Sequence, residues 1–178
     1  RSGDDRLNGS TDNDFLAGEI GEDSLFGGSG NDTISGGTDD DFLAGNSGND
    51  LIRSGDGDDR ADGGSGNDSL LGNDGNDTLG GSGGNDLLFG NDGDDKLNAG
   101  SGNDILLGAD GKDSLLGGGG NDLLSGGDDN DFISGQGGTD TVAGNLGNDV
   151  LVPDAADVIN EAFSEDDFES LLNALENL

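Results

Sequence analysis

Aspartate recurs every nine residues along most of this 178-residue chain. The series runs Asp5, Asp14, Asp23, Asp32, Asp41, Asp50, Asp59, Asp68, Asp77, Asp86, Asp95, Asp104, Asp113, Asp122, Asp131, Asp140 and Asp149, without insertion or deletion. Carboxylates in strict register are hard oxygen donors, suited to holding hard cations. Catalysis has little to work with, because the chain contains no His, Cys, Tyr, Trp or Met. The usual general bases and thiol nucleophiles are therefore absent. So are the soft-metal ligands and the His and Cys that zinc prefers. No nucleophile–base pair is formed, and the chain reads as a non-enzyme.

The composition narrows the partners. There are 40 acidic residues against 6 basic ones, a formal charge of −34. Such a charge repels nucleic-acid phosphates and anionic lipid surfaces, so neither is a partner. No apolar run approaches the length of a membrane-spanning helix. Of the acidic residues 34 are Asp and 6 are Glu, and Gly numbers 39. Asp competes with the helical backbone for hydrogen bonds, so an Asp- and Gly-rich chain is made of turns. Charge and low hydrophobicity alone would suggest disorder; the order of the residues points elsewhere.

Two residues after each Asp stands an apolar residue, from Leu7 and Leu16 to Val142 and Leu151, with Ala61 as the one weak member. Gly stands two residues before the Asp except at Asp12, Asp39 and Asp129, and five before except at Ser54 and Ala99. The repeat is G-G-x-G-x-D-x-U-x with U aliphatic, spelled fully by GGSGNDTIS at Gly27 to Ser35. One inward apolar residue between two outward ones is a short strand. The glycines permit positive φ, so the remaining six residues make a tight turn. Two repeats, eighteen residues, complete one coil, and coils stack as parallel strands about 4.8 Å apart.

This pattern resembles the RTX family of calcium-binding nonapeptide repeats, over residues 3 to 152. The resemblance implies an all-β fold: a right-handed parallel β-roll, a β-solenoid with two short strands per coil. It also implies one Ca²⁺ between each pair of successive turns on an edge, shared by two of the seventeen Asp and by backbone carbonyls. Seventeen turns paired two repeats apart give 17 − 2 = 15 sites, and fifteen Ca²⁺ would move the charge from −34 to −4. The physics agrees. Asp carboxylates stacked about 5 Å apart repel unless neutralised. Ca²⁺ accepts six to eight oxygens, including carbonyls, whereas Mg²⁺ demands strict octahedral geometry and keeps its waters. No twelve-residue loop ends in a bidentate Glu, so an EF-hand is excluded.

Other features set further expectations. One edge carries an Asn column (Asn13, Asn31, Asn49, Asn67, Asn85, Asn103, Asn121), and the other an acidic one (Asp56, Asp74, Asp92, Asp110, Asp128). The sequons at Asn8, Asn31, Asn67 and Asn76 follow from the repeat chemistry. Leu71, Leu87, Phe89, Ile105, Leu107 and Leu123 are outward strand positions on four successive coils, an expected exposed patch for self-association or a partner. The domains are taken as 1–152, seventeen repeats, and 153–178, a capping segment. In the latter, Asp154 to Phe163 is expected as a short turn or helix. Ser164 and Asp167 then cap an amphipathic helix from about Glu165 to Asn177, with Phe168, Leu171, Leu172, Leu175 and Leu178 on one face. That short C-terminal α-helix would cap the roll or fold back on the apolar face.

The functional expectation is a calcium-folded, non-catalytic module of a secreted or cell-surface protein, exported by a type I pathway as family resemblance implies. The alternative is a structural filament, matrix or adhesin protein assembling head to tail through the roll ends or the apolar face. An ice-binding adhesin domain is the minor alternative, resting on the Ser/Asn edge.

Overall fold

The structure, a computed structural model, describes residues 2–159. Eighteen strands follow one another, from Arg6–Thr11 to Val158–Ile159. Alternate strands belong to two nine-stranded sheets. All strand pairs are parallel, and partners up to Asn145 lie eighteen residues apart. The chain is therefore a parallel β-solenoid of about nine coils, with no helix among the described residues.

The core follows from the aliphatic position of the repeat. Leu16, Leu25, Ile34 and their successors to Val142 form one buried ladder between the sheets, and Leu7 and Leu151 pack against it half-buried. Each core residue lies beside its counterparts one coil before and after, as in Ile34, Ile52 and Leu70. A coil thus buries its apolar face only against its neighbours, which makes stability a property of the stack.

The strands are longer than the three residues the repeat suggests. Most span six, as in Thr33–Thr38, taking in the first three positions of the next repeat. Coils stacked in register carry the hydrogen-bond ladder through those glycines, leaving three residues for each turn. The turns need positive φ at the second and fourth repeat positions. Every described non-glycine residue with positive φ stands at one of them, for example Asn73 and Ala109 at the second and Asp39 and Asp129 at the fourth. At the fourth position a side chain also meets the coil below: a methyl on Gly84, at φ +137, would overlap the carbonyl oxygen of Gly66. Strain and space therefore favour glycine there, and Asp12, Asp39 and Asp129 are the three exceptions.

Two further expectations are corrected. The register does not end at Val152. After a one-residue deletion, Val158 and Ile159 pair with Thr141 and Val142. Residues 154–159, expected as part of a short turn or helix, are a bend and a short strand; the helix expected from Glu165 lies outside the described residues, as does the rest of that segment.

The apolar patch is also not exposed as expected. Phe89 is 0% exposed, and Leu71, Leu87, Ile105, Leu107 and Leu123 are all half-buried. The register sets Leu71 and Leu107 on either side of Phe89, so stacked flanking residues shield one another. Large exposed apolar side chains gather instead near the two ends of the described stack. Phe15 (75%) and Ile20 (56%) stand at one end, and Leu146, Val150, Val158 and Ile159 at the other. On the opposite sheet, the Arg6 guanidinium lies 4.5 Å from the Phe26 ring centroid.

Candidate metal centre

Each repeat Asp closes a turn and leads directly into a strand. From Asp23 to Asp140 these side chains are buried at every repeat, because their position faces inward like the core residue two places on. Two stacked columns result, one on each edge of the roll.

The two oxygens of each carboxylate have different surroundings. Oδ1 accepts the backbone N–H of the Asp one coil earlier. Asp50 N donates to Asp68 Oδ1 at 2.8 Å, and Asp68 N to Asp86 Oδ1 at 2.8 Å. The same bond joins every successive pair from Asp5–Asp23 to Asp131–Asp149, at 2.6–3.0 Å. These bonds stitch successive coils together.

Oδ2 has no such partner. In all members from Asp14 to Asp140 it is buried and accepts no hydrogen bond. It faces the Cα of the Gly five residues earlier. At Gly45, the point a Cβ would occupy is flanked by Asp50 Oδ2 and the Gly63 carbonyl oxygen. The same pair recurs at Gly72, between Asp77 Oδ2 and the Gly90 carbonyl, and at Gly108, between Asp113 Oδ2 and the Gly126 carbonyl. A carboxylate oxygen and a carbonyl oxygen so placed are two acceptors facing one space. A buried acceptor without a donor costs about 1–3 kcal/mol, and more when charged. A hard cation satisfies both.

The neighbouring repeat position sharpens this. Just before the Asp, a second ladder runs in the opposite sense: Asn67 N donates to Asn49 Oδ1, and Asn85 N to Asn67 Oδ1, both at 2.8 Å. On the other edge the same bond uses Asp58 or Asp94 as acceptor and Asn76 or Lys112 as donor. A ladder made only of hydrogen bonds therefore accepts Asn or Asp. It is exposed, and it spends the Asn column's Oδ1 atoms on the backbone. The buried ladder uses Asp alone, where Asn would have supplied an N–H to the facing carbonyl. The choice of a charged acceptor at every buried place is the chemical signature of a cation site.

The electrostatics agree. Burial pushes the carboxyls of Asp59, Asp68, Asp95 and Asp113 from the ordinary 3.8 to about 7. It pushes Asp41, Asp77, Asp86, Asp122 and Asp131 to about 6. The accepted backbone N–H opposes the shift, and column neighbours add to it, as Asp50 and Asp86 do for Asp68. Ionised and without a counter-ion, these columns work against the fold.

All seventeen expected Asp occupy the expected turns. Among the described residues, no three acidic side chains converge on one point. The repeat geometry explains this: successive turns bring only two Asp side chains together at each level. One column member was missed. Asp140 N donates to Asp157 Oδ1 at 3.2 Å, seventeen residues on. The signal was Asp157-Val158-Ile159, another D-x-U, displaced by the single deletion after Leu151.

No curated protein matches the chain. The family model for the RTX calcium-binding nonapeptide repeat (4 copies) matches residues 1–34, 35–70, 53–88, 80–115, 89–124 and 116–151. These segments join without a gap from 1 to 151, so with the solenoid and its paired Asp columns in place, the chain belongs to the RTX calcium-binding repeat family.

Proposed function

We propose that this chain is a calcium-folded, non-catalytic module of a secreted or cell-surface protein, in which the seventeen repeat Asp are the side-chain ligands. The observation that carries the reading is the run of buried, unpartnered Oδ2 atoms, many of them close to a backbone carbonyl oxygen of the next coil, as at Asp50, Asp77 and Asp113. Calcium, when bound, supplies the positive charge that these oxygens lack. Oδ1 fixes each carboxylate to the coil before it, so Oδ2 is held ready without further ordering. The bare Gly Cα lets the carboxylate and the next coil's carbonyl approach closely, where a side chain would clash with both. Up to about fifteen ions follow from pairing successive turns, as the family geometry implies.

Folding and binding are then one event. Without metal the columns repel, and the narrow core cannot offset chain entropy. Such a chain stays unfolded where calcium is scarce, as in cytosol, and folds where it is abundant, as outside the cell. That property suits export followed by folding.

The experiment is a calcium titration followed by circular dichroism. We expect a coil spectrum in chelator, a cooperative change to β-structure on adding Ca²⁺, and reversal with excess chelator. A chain equally β-structured in chelator at neutral pH would overturn the reading.

A further inference from the structure

At the first repeat position a side chain is nearly always missing, and the missing Cβ leaves the cradle beside Oδ2. Two coils differ: Ser54 and Ala99 occupy that place. Both are 0% exposed. The register aligns Ser54 with Gly36 on one side and Gly72 on the other, between the partners Ser35–Arg53–Leu71 and Gly37–Gly55–Asn73. At those glycines, a Cβ would stand against Oδ2 of Asp41 and Asp77 respectively. Ser54 carries a real Cβ at the corresponding place beside Asp59, with an oxygen attached.

That oxygen is itself orphaned. Ser54 Oγ is buried with no hydrogen-bond partner, and so is Asp59 Oδ2. The hydroxyl makes no hydrogen bond to the carboxylate. Elsewhere in the molecule, a buried unpaired side-chain oxygen occurs only on the repeat Asp among the described residues. Ser54 Oγ thus shares the burial and lack of a donor of the ligand atoms, at the repeat position their Oδ2 faces in the neighbouring coils.

We propose that Ser54 Oγ is an additional calcium ligand, giving the site at Asp59 a side-chain donor that the other coils lack. The inference rests on the calcium reading above. A neutral hydroxyl adds an oxygen without adding repulsion, so this site binds more tightly than its neighbours. Ala99, at the same repeat position before Asp104, fills the space without a donor and serves as the built-in control.

The test is thermal melting at a fixed calcium concentration that saturates the wild type, using Ser54→Ala and Ala99→Ser. Loss of the ligand in Ser54→Ala, if it weakens one site about tenfold, is worth about 1.4 kcal/mol. For a chain this size that lowers Tm by about 3–6 °C. Ala99→Ser, which transplants the hydroxyl to the Asp104 site, is expected to raise Tm. If Ser54 Oγ is no ligand, both signs invert: Ser54→Ala removes a buried unpaired hydroxyl and raises Tm, while Ala99→Ser creates one and lowers it. A crystal structure of the calcium-loaded chain decides independently. An ion within about 2.3–2.6 Å of Ser54 Oγ supports the assignment. An ion at Asp59 out of reach of Ser54 overturns it while leaving the calcium reading intact. Absence of ions from all coils would instead overturn the calcium reading itself.

Discussion

Replacing Asp50, Asp68 and Asp86 together by Asn is expected to move the metal-free and calcium-loaded states in opposite directions. Asn keeps Oδ1, so the bonds from the Asp32, Asp50 and Asp68 backbone N–H groups to these positions survive in kind. It exchanges Oδ2 for an amide N–H, which at position 50 then faces the Gly63 carbonyl. In the metal-free state three unpaired buried acceptors are removed, and at positions 50 and 86 the new amide N–H faces a backbone carbonyl, each such bond worth about 1 kcal/mol. The charge repulsion within the column also ends. In calcium the same change strips a ligand from every pair the column makes between Asp32 and Asp104. The variant should therefore show more β-structure than wild type in chelator, and a smaller gain in Tm on adding calcium. Ala at the same positions removes Oδ1 as well and should weaken both states. Circular dichroism with and without calcium separates the cases. A triple Asn variant with an undiminished calcium gain would show that Oδ2 is not a ligand.

Acid should partly replace calcium. The folded-state values of Asp59, Asp68, Asp95 and Asp113 are raised to about 7 against an ordinary 3.8. Between those values the folded chain binds more protons than the unfolded one. By linkage, metal-free stability then falls as pH rises through this window. It is greatest below the unfolded value of 3.8, where both states are protonated, and it is lost as pH rises to about 7. In chelator, a shift from pH 7.5 to 5 should increase β-structure. In calcium the same shift should raise the concentration needed for folding, since protons and Ca²⁺ compete for the same oxygens. Both are read by circular dichroism at fixed ionic strength. A metal-free chain that loses β-structure on acidification to pH 5 would contradict the burial of these carboxylates.

The architecture was legible in the sequence because one period fixes almost everything. A nine-residue spacing of Asp, with an aliphatic residue two places on, sets the coil at eighteen residues and dictates which residues stack. Leu70, Leu88 and Leu106 could be placed in one buried column from spacing alone, and so could Asp68, Asp86 and Asp104. What escaped depends on neighbours rather than on the period. Phe89 alternates outward like any flanking residue; its burial comes with Leu71 and Leu107, which lie eighteen residues away on either side. The final strand was hidden by a single deletion that moves Asp157 one step out of register, although its own D-x-U pattern is intact.

The distinction within the carboxylates was equally invisible. A sequence shows that Asp recurs; it does not show that one oxygen is spent on backbone hydrogen bonding and the other has no donor. Nor does it distinguish Ser54 from Ala99, which look alike as departures from Gly. One carries an orphaned oxygen into the cradle, and the other fills it with a methyl group.

The central claim is that stacked Asp pairs hold calcium between coils, and the most direct measurement is the number of ions on each folded chain. Native mass spectrometry of the calcium-saturated protein should show cooperative uptake of about fifteen Ca²⁺, the count set by pairing successive turns. A fully β-structured chain carrying no more than one or two ions would contradict it.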